Sequence, residues 1–398
     1  MRKTLILALA AIFTSFSLTT HAAWQDTLDD AKGQTVYFNA WGGADNINDY
    51  IQWAAKRIKE EYDVTLKHVK LTDTSDAVSR VLAEKAANKH NKGSVDLIWI
   101  NGENFRAMKD NDLLFGPFSH DLPNYANYVD ENARQSLTQD FGTLVEGMES
   151  PWGMAQIVFL YDTATLHNPP KSMQALLEYA KANPGRITYP EPPQYLGVTF
   201  LKQALYETSL DKEALSQPEN TVDFDVITAP LWKYLDELHQ VAWRSGQNFP
   251  SSAEEMMRLL DDQEIDIAIN FDVSGASVQI DQGNLPDTVR TYVFDKGTIG
   301  NTHFLAIPYN SGVTSGAQVV ANFFLSPEAQ IYKQTPTVWG DLSVLSYDKL
   351  SKDDQKRFDN LPRGIATLTI EELGSTLPEP HSSWVEALEK EWRKRYAQ

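Results

Sequence analysis

Two serine–lysine pairs, Ser209–Lys212 and Ser346–Lys349, have the Ser-x-x-Lys spacing of enzymes in which a serine is the nucleophile. That spacing often arises by chance, and the S-D-N and K-T-G motifs that accompany it in such enzymes are missing. The sequence also has no G-x-S-x-G elbow, no H-E-x-x-H motif, no phosphate-binding glycine loop and no dinucleotide fingerprint. The absence of these motifs makes an enzyme less expected without excluding one.

The sequence also contains no motif for metal binding or for thiol chemistry. The 8 histidines lie singly along the chain at no metal-ligand spacing, and no EF-hand loop is present. Cysteine is absent, which excludes disulfides, thiol nucleophiles, iron–sulfur clusters and thiolate zinc sites. We therefore predict no metal site and no cofactor.

Polar and aromatic side chains follow two predicted strands. Trp41–Asn46 lies between the strand Thr35–Asn39 and a helix from about Ile47 to Tyr62, and Asn101–Asn104 follows the apolar strand Val95–Ile100. Ligands of open α/β sheets lie beyond the carboxyl ends of strands, where glycines and helix N-terminal amides allow close approach. The alternative is that Trp41 packs in the core and that Gly42 and Gly43 form an ordinary turn, which explains the first loop as well as a ligand site does.

The strands and helices that position these loops alternate along the chain. The helix from about Ile47 has Tyr50, Ile51, Ala54 and Ile58 on the same predicted apolar face. Further helices are predicted near 76–88, 172–182, 252–260 and 313–325, and further strands near 64–69, 155–161, 265–271 and 302–308. This alternation predicts an α/β fold with crossover connections.

Chain length, net charge and hydrophobic content limit the classes of protein to which the sequence can belong. The 398 residues predict two lobes or one large α/β unit. The formal net charge of −19 makes a nucleic-acid partner unexpected, because affinity for phosphate backbones comes mainly from basic side chains. The hydrophobic content of 42% indicates a folded globular protein.

The first 22 residues have the order of a secretory signal peptide. Arg2 and Lys3 precede the apolar run Leu5–Phe13, and Thr20-His21-Ala22 places small residues before a cut at Ala23. The apolar run is too short for a spanning helix, which needs about 20 residues. We predict an exported protein that begins at Ala23, with an uncleaved anchor as the alternative.

The strand and turn Gly300–Gly312 are followed by the helix Ala317–Leu325 and by Ser326–Gln330, which reads Ser-Pro-Glu-Ala-Gln. These segments resemble the family 1 extracellular solute-binding proteins that feed ABC importers. Val95–Ile100 and Pro151–Asp162 agree with the family pattern. The resemblance is to the thiamine-, polyamine- and iron-binding branch and covers most of the chain, weakly between 205 and 250.

The resemblance implies a type II periplasmic binding protein fold, in which two α/β lobes are linked by a hinge and enclose the ligand. It places lobe 1 at residues 23–155 plus 302–340 and lobe 2 at residues 156–301 plus 341–398. Opening and closing about the linking strands would be a hinge motion. It also implies an inner-membrane ABC permease with its ATPase as partners, and we expect a monomer.

The family pattern also implies ligand contacts. The implied positions are Trp41, Gly43, Asn46, Asn101, Glu103, Asn104, Trp152, Tyr195, Asp272 and Ser274. Trp152 would lie at the hinge with its ring facing the cleft, so that its loss would weaken binding without unfolding the lobes. Thr302 and His303 are further candidates near the return crossing, whereas Phe271 is expected to pack in the core.

The implied contacts suggest a ligand class. They hold aromatic rings, carboxylates and amides but no lysine or arginine, a set that suits an organic cation of the thiamine or polyamine type. Sugars also stack on aromatic rings, so they remain open. Members of this branch that bind iron often use two adjacent tyrosines. Iron is therefore less expected here, because the chain has no adjacent tyrosine pair. A secreted hydrolase on a similar scaffold is the alternative to a protein without catalysis.

Overall fold

A computed structural model describes residues 23–397, and the predicted signal peptide lies outside the described residues. The strands are β1 Thr35–Trp41, β2 Thr65–Leu71, β3 Leu97–Ile100, β4 Gln139–Asp140, β5 Thr143–Leu144, β6 Glu149–Gln156, β7 Val158–Asp162, β8 Ile267–Asn270, β9 Val289–Tyr292, β10 Thr298–Ala306 and β11 Thr376–Leu377. None of the helices in residues 23–397 combines the length and apolar character that a membrane span requires.

Fifteen α-helices are described within residues 23–397. They are α1 at 23–31, α2 Asp45–Tyr62, α3 Ser75–Ala86, α4 Gly102–Asp110, α5 Pro123–Tyr128, α6 Met173–Ala182, α7 Tyr195–Thr208, α8 Phe224–Val241, α9 Ala253–Asp261, α10 Gly275–Asp281, α11 Thr314–Phe324, α12 Pro327–Gln334, α13 Lys352–Asp359, α14 Ile370–Leu373 and α15 Ser383–Tyr396. Of these, α2, α3, α6, α9 and α11 correspond to the helices that the sequence predicted.

The larger sheet has six strands and forms most of the first lobe, whereas its edge strand β11 pairs with the start of β10 and packs Leu377 against the core of the second lobe. The strand order of this sheet is β11-β10-β3-β1-β2, with β6 also paired to β10. β1 pairs in parallel with β2 and β3, whereas β10 runs antiparallel to β3 and β6. The carboxyl ends of β1 and β3 therefore meet at one edge of the sheet, and the predicted loops at Trp41 and Asn101 follow them.

Helices cover both faces of this sheet. One face packs against α2 and α11, and its core includes Phe38 and Phe324; the other packs against α3 and α4. The whole predicted apolar face of α2 is buried, because its spacing places those side chains on one side of the helix. For α3 the sequence pattern predicts an inward face of Val78, Val81, Leu82 and Ala86. The first two are buried, but Leu82 and Ala86 are exposed.

The smaller sheet forms the second lobe. Its order is β8-β7-β9, with all pairs antiparallel. Its core gathers side chains of α6, α7, α8, α9 and α15, among which Trp384 and Trp392 are fully buried. The C-terminal helix α15 is therefore part of the second lobe.

The chain passes between the two cores three times. Met154 belongs to the first core and Ile157 to the second, and Ile299 belongs to the second while Leu305 belongs to the first. The last passage differs from the expected boundary at 340, because Val344 still packs in the first core. We propose lobe boundaries near Ile157, within β10, and between 344 and 366.

Candidate functional site

A cavity of about 870 Å³ lies between the two lobes. Its wall on the side of the first lobe includes Trp41, Ala44, Asp45, Asn46, Thr74, Trp99 and Asn101. Its wall on the side of the second lobe includes Tyr195, Glu254, Met257, Phe271, Asp272 and Gln279. Asn301, His303, Trp339 and Asp341 line it next to the passages between the lobes.

Five of the ten implied contacts line this cavity, as does the further candidate His303. The five are Trp41, Asn46, Asn101, Tyr195 and Asp272. Local geometry explains why they converge: Trp41 ends β1, Asn101 precedes α4, and Tyr195 begins α7. The first turns of α2 and α10 also face the cavity, and neither helix has a side-chain cap on its N-terminal amides.

Gly43 and Ser274 lie beside the cavity instead of lining it. A Cβ at Gly43 would lie 2.3 Å from the indole of Trp41, so this glycine lets the ring fold over the backbone. The Ser274 hydroxyl donates a hydrogen bond of 3.2 Å to the carbonyl oxygen of Gly340. Both residues therefore shape the cavity through a neighbour.

Glu103 and Asn104 also lie outside the cavity wall. Glu103 is exposed to solvent, yet enough protein surrounds its carboxyl group that desolvation raises its pKa, while Lys202 opposes that shift. The structure places Glu103 in the electrostatic neighbourhood of Lys202 and Glu379. Asn104 is half-buried within the first turn of α4.

The prediction that the Trp152 ring faces the cleft is wrong. Trp152 is 0% exposed and lies in the first core, where its ring packs edge-on to Phe38 and lies 5.0 Å from Trp99. The Trp152 side chain on strand β6 points to the face of the sheet that α2 and α11 cover, and not to the cleft. It therefore packs between these two helices and the sheet. The ring supports the cavity wall from behind and does not reach the cavity.

Among the cavity residues that sequence reasoning missed are Trp99, Trp339 and Asp341. Trp99 lies within a nearly continuous apolar strand, so its type gave no sign that it would face a cavity. The only available signal was the end of that strand, two residues before Asn101. Phe271 was expected in the core, but it is half-buried and lines the cavity edge-on to Tyr195, with 5.4 Å between the ring centroids.

Asp272 is the cavity carboxylate with a shifted pKa and no basic partner. Its Oδ1 accepts a hydrogen bond of 2.9 Å from the backbone N–H of Ser274. Desolvation raises the pKa of Asp272 to about 6, against the effect of the Ser274 hydrogen bond and with a contribution from nearby Asp341. A positive charge in the cavity would offset that desolvation.

Asp341, by contrast, is compensated within the protein. It pairs with the buried Lys333 ammonium and lies 3.2 Å from Nε2 of His303. Desolvation alone would raise the pKa of Asp341, but Lys333 and His303 hold it below its usual value. Lys333 also lies over the Trp339 ring, 5.5 Å from its centroid.

No lysine or arginine lines the cavity within residues 23–397. Five aromatic rings do, together with the uncompensated acids Asp45, Glu254 and Asp272. The same residues contain no cluster of three or more acidic or histidine side chains that could hold a metal ion. The wall is therefore aromatic and acidic.

This two-lobe architecture and its cleft agree with a family match. A family model described as "Bacterial extracellular solute-binding protein" matches residues 53–346. The chain belongs to this family. It is a solute-binding protein of the ABC transporter type, which binds a small ligand and interacts with a membrane permease. The periplasmic localisation expected from the sequence is confirmed.

A relative in sequence supports the family assignment, and solved structures support the fold. Protein YnjB of Escherichia coli (strain K12) is 44% identical over 389 residues, which cover 98% of each chain. The solved periplasmic thiamin binding protein has a TM-score of 0.59 at 18% identity, covering 91% of this chain and 95% of that one.

AfuA of Actinobacillus pleuropneumoniae, solved with fructose-6-phosphate, has a TM-score of 0.61 at 14% identity and covers 91% of this chain and 98% of that one. These two structures confirm the predicted two-lobe fold. Because their named ligands differ in charge, the fold alone does not select a ligand for this chain.

Proposed function

We propose that the protein captures a small organic cation in the cavity between its lobes and delivers it, as a monomer without catalysis, to an inner-membrane ABC permease driven by an ATPase. The observation that carries this proposal is the aromatic and acidic wall, which has no lysine or arginine among the described lining residues. Aromatic faces attract cations, and the uncompensated carboxylate of Asp272 attracts them further. The thiamin named for one solved neighbour is a ligand of this class.

The charge of the whole chain supports the same ligand class. With Arg2 and Lys3 removed in a signal peptide that has no acid, the formal net charge of −19 becomes −21. A negative field raises the encounter rate of cations and lowers that of anions. Anions such as sulfate, phosphate and citrate are therefore expected to bind poorly.

A neutral sugar is the second candidate ligand, because sugars stack on aromatic rings and hydrogen-bond to carboxylates and amides. Asn101 and Asn301 supply amides to the cavity wall. The hydrolase alternative has no comparable support. Among the described residues, the lining Ser252 caps α9 by accepting a hydrogen bond from the Glu255 amide, and it forms no hydrogen bond with His303.

A ligand screen tests the proposal. Protein purified under denaturing conditions and refolded, so that retained ligand is removed, is titrated with thiamine, spermidine, putrescine, glucose, sulfate, phosphate and citrate in thermal-shift and calorimetric assays. We expect at least one organic cation to bind and to raise the melting temperature more than any anion. Stabilisation by anions alone would contradict the proposal, and stabilisation by the sugar alone would favour the second candidate.

A further inference from the structure

A buried ion pair lies beneath the cavity wall formed by Tyr195. The Lys202 ammonium, on α7, lies 2.5 Å from Oε2 of Glu379, which follows β11. Their side chains are 1% and 3% exposed. Burying two charges costs several kcal/mol per ion, so a pair of this kind is weak evidence of a stabilising role.

The ion pair is connected to Tyr195 through hydrogen bonds. The Tyr195 hydroxyl accepts a hydrogen bond of 2.6 Å from Nδ2 of Asn301, and it lies 3.5 Å from Oε1 of Glu379. Asn301 Nδ2 also donates to Oε1 of Glu379 at 3.2 Å. The Lys202 ammonium lies 5.4 Å from the centroid of the Tyr195 ring. The hydroxyl end of Tyr195 is therefore fixed, whereas the residue is 44% exposed and lines the cavity.

The same ion pair contacts the first lobe. Phe141, in the turn between β4 and β5, has its ring centroid 4.9 Å from the Lys202 ammonium. The Phe141 carbonyl oxygen accepts a hydrogen bond of 3.0 Å from the Ser382 amide, three residues beyond Glu379. The pair therefore lies where α7, the passage strand β10, the C-terminal segment and the first lobe meet.

We propose that Lys202 and Glu379 are positioning residues for ligand binding, which hold the Tyr195 ring in the cleft and tie its position to Phe141 of the first lobe. Neither residue lines the ligand cavity. Their action is exerted through the ring and hydroxyl of Tyr195. The expected effect on ligand affinity rests on the proposed function, whereas the expected effect on the position of the Tyr195 ring does not.

The test removes both charges together, because removing one would leave the other buried without a partner. The double variant Lys202→Met with Glu379→Gln keeps the side-chain size nearly constant. The matched control is Lys181→Met with Glu237→Gln, a pair in the same lobe at 2.6 Å whose side chains are 48% and 37% exposed. We expect thiamine to bind the double variant at least tenfold more weakly than the wild type, and the control as tightly as the wild type.

A ligand-free measurement separates this proposal from the proposed function. Protein labelled with 3-fluorotyrosine gives a ¹⁹F resonance for Tyr195 that is assigned by its loss in Tyr195→Phe. We expect this resonance to shift or broaden in the double variant and to stay in place in the control. If thiamine does not bind the wild type, this comparison still decides the positioning role.

Tyr195→Phe provides the second variant, because it keeps the ring and removes only the anchored hydroxyl. It should weaken thiamine binding several-fold in the wild type and have no further effect in the double variant, since both changes release the same ring. An unchanged Tyr195 resonance in a folded double variant would overturn the proposal. Should the double variant not fold, wild-type affinity in Tyr195→Phe would overturn it.

Discussion

The Ser274 hydroxyl of the second lobe donates to the Gly340 carbonyl oxygen, which follows Trp339 of the first core. This contact joins the lobes beside the cavity, and Gly340 has φ +84°. A Cβ at Gly340 would lie 2.5 Å from Cβ of Ser274. The two lobes can therefore approach this closely here only while residue 340 has no side chain.

Gly340→Ala is expected to hold the lobes further apart and to weaken ligand binding at least tenfold. Gly283→Ala is the matched control, because Gly283 has φ +76° but a Cβ added there would meet nothing within 4 Å. Small-angle scattering of both variants should show a larger radius of gyration for Gly340→Ala alone. Equal affinities and radii in the two variants would mean that backbone strain, and not the clash, causes any effect.

Asp272→Asn should lower cation affinity and raise the stability of the ligand-free protein. Because the pKa of Asp272 is about 6 in the folded chain against an ordinary value of 3.8, the folded state binds a proton more tightly than the unfolded state. Its contribution to the unfolding free energy is present below about pH 3.8 and is lost as the pH rises through about 6. The asparagine variant avoids this loss, so its melting temperature should exceed that of the wild type at pH 7.5.

The same titration predicts how cation affinity depends on pH. In the wild type, calorimetric affinity for a cationic ligand should fall as the pH drops from 7.5 to 5, because Asp272 becomes protonated. Asp272→Asn should bind weakly throughout, with a flatter profile. Asp261→Asn, which changes an exposed carboxylate at the end of α9, should match the wild type in both measurements. A wild-type affinity that is constant over this range would show that Asp272 does not recognise the charge.

Trp152→Ala should destabilise the first lobe by about 3–5 kcal/mol, the usual cost of removing a large buried aromatic side chain. Trp152→Phe should cost less, because it fills part of the space and removes an Nε1–H that has no hydrogen-bond partner among the described residues. Urea unfolding measures both. A stability loss below about 1 kcal/mol for Trp152→Ala would contradict the core position, since that range is typical of exposed sites.

Trp41→Leu should weaken cation binding at least tenfold with little change in stability. Protein lysines already lie over the rings of Tyr195 and Trp339, but the described residues place no cation over Trp41. Tyr37→Leu is the control, because Tyr37 lies on the same strand with similar exposure, 41% against 40%, and does not line the cavity. Equal affinities in these two variants would exclude Trp41 from recognition.

The sequence predicted those parts of the fold that depend on local patterns. Apolar spacing identified α2, and Ser326 followed by Pro327 is the pattern of a helix start, which agrees with the serine cap observed on α12. The two-lobe arrangement came from family resemblance, because the β10 pairings with β3 and β6 join segments far apart in the chain. No local pattern carries such pairings.

The candidate site was predicted where strand ends mark it and was missed elsewhere. Trp41 and Asn101 follow β1 and β3, so the parallel sheet alone brings them together. Trp152 was expected to face the cleft but is buried in the core, whereas Trp99, which was not predicted, lines the cavity. The face to which a strand residue points depends on register. Asp341 could not be recognised from the sequence, since its role as a cavity carboxylate paired to Lys333 follows from the packing of a loop.

The passages between the lobes also determine the order in which the exported chain can fold. The larger sheet needs β10, which ends at Ala306, so its middle cannot close until the whole segment carrying the smaller sheet has crossed the membrane. The second core in turn needs Trp392, close to the last residue. An emerging chain therefore remains without a finished lobe for most of its translocation, and the two lobes must mature almost together at the end.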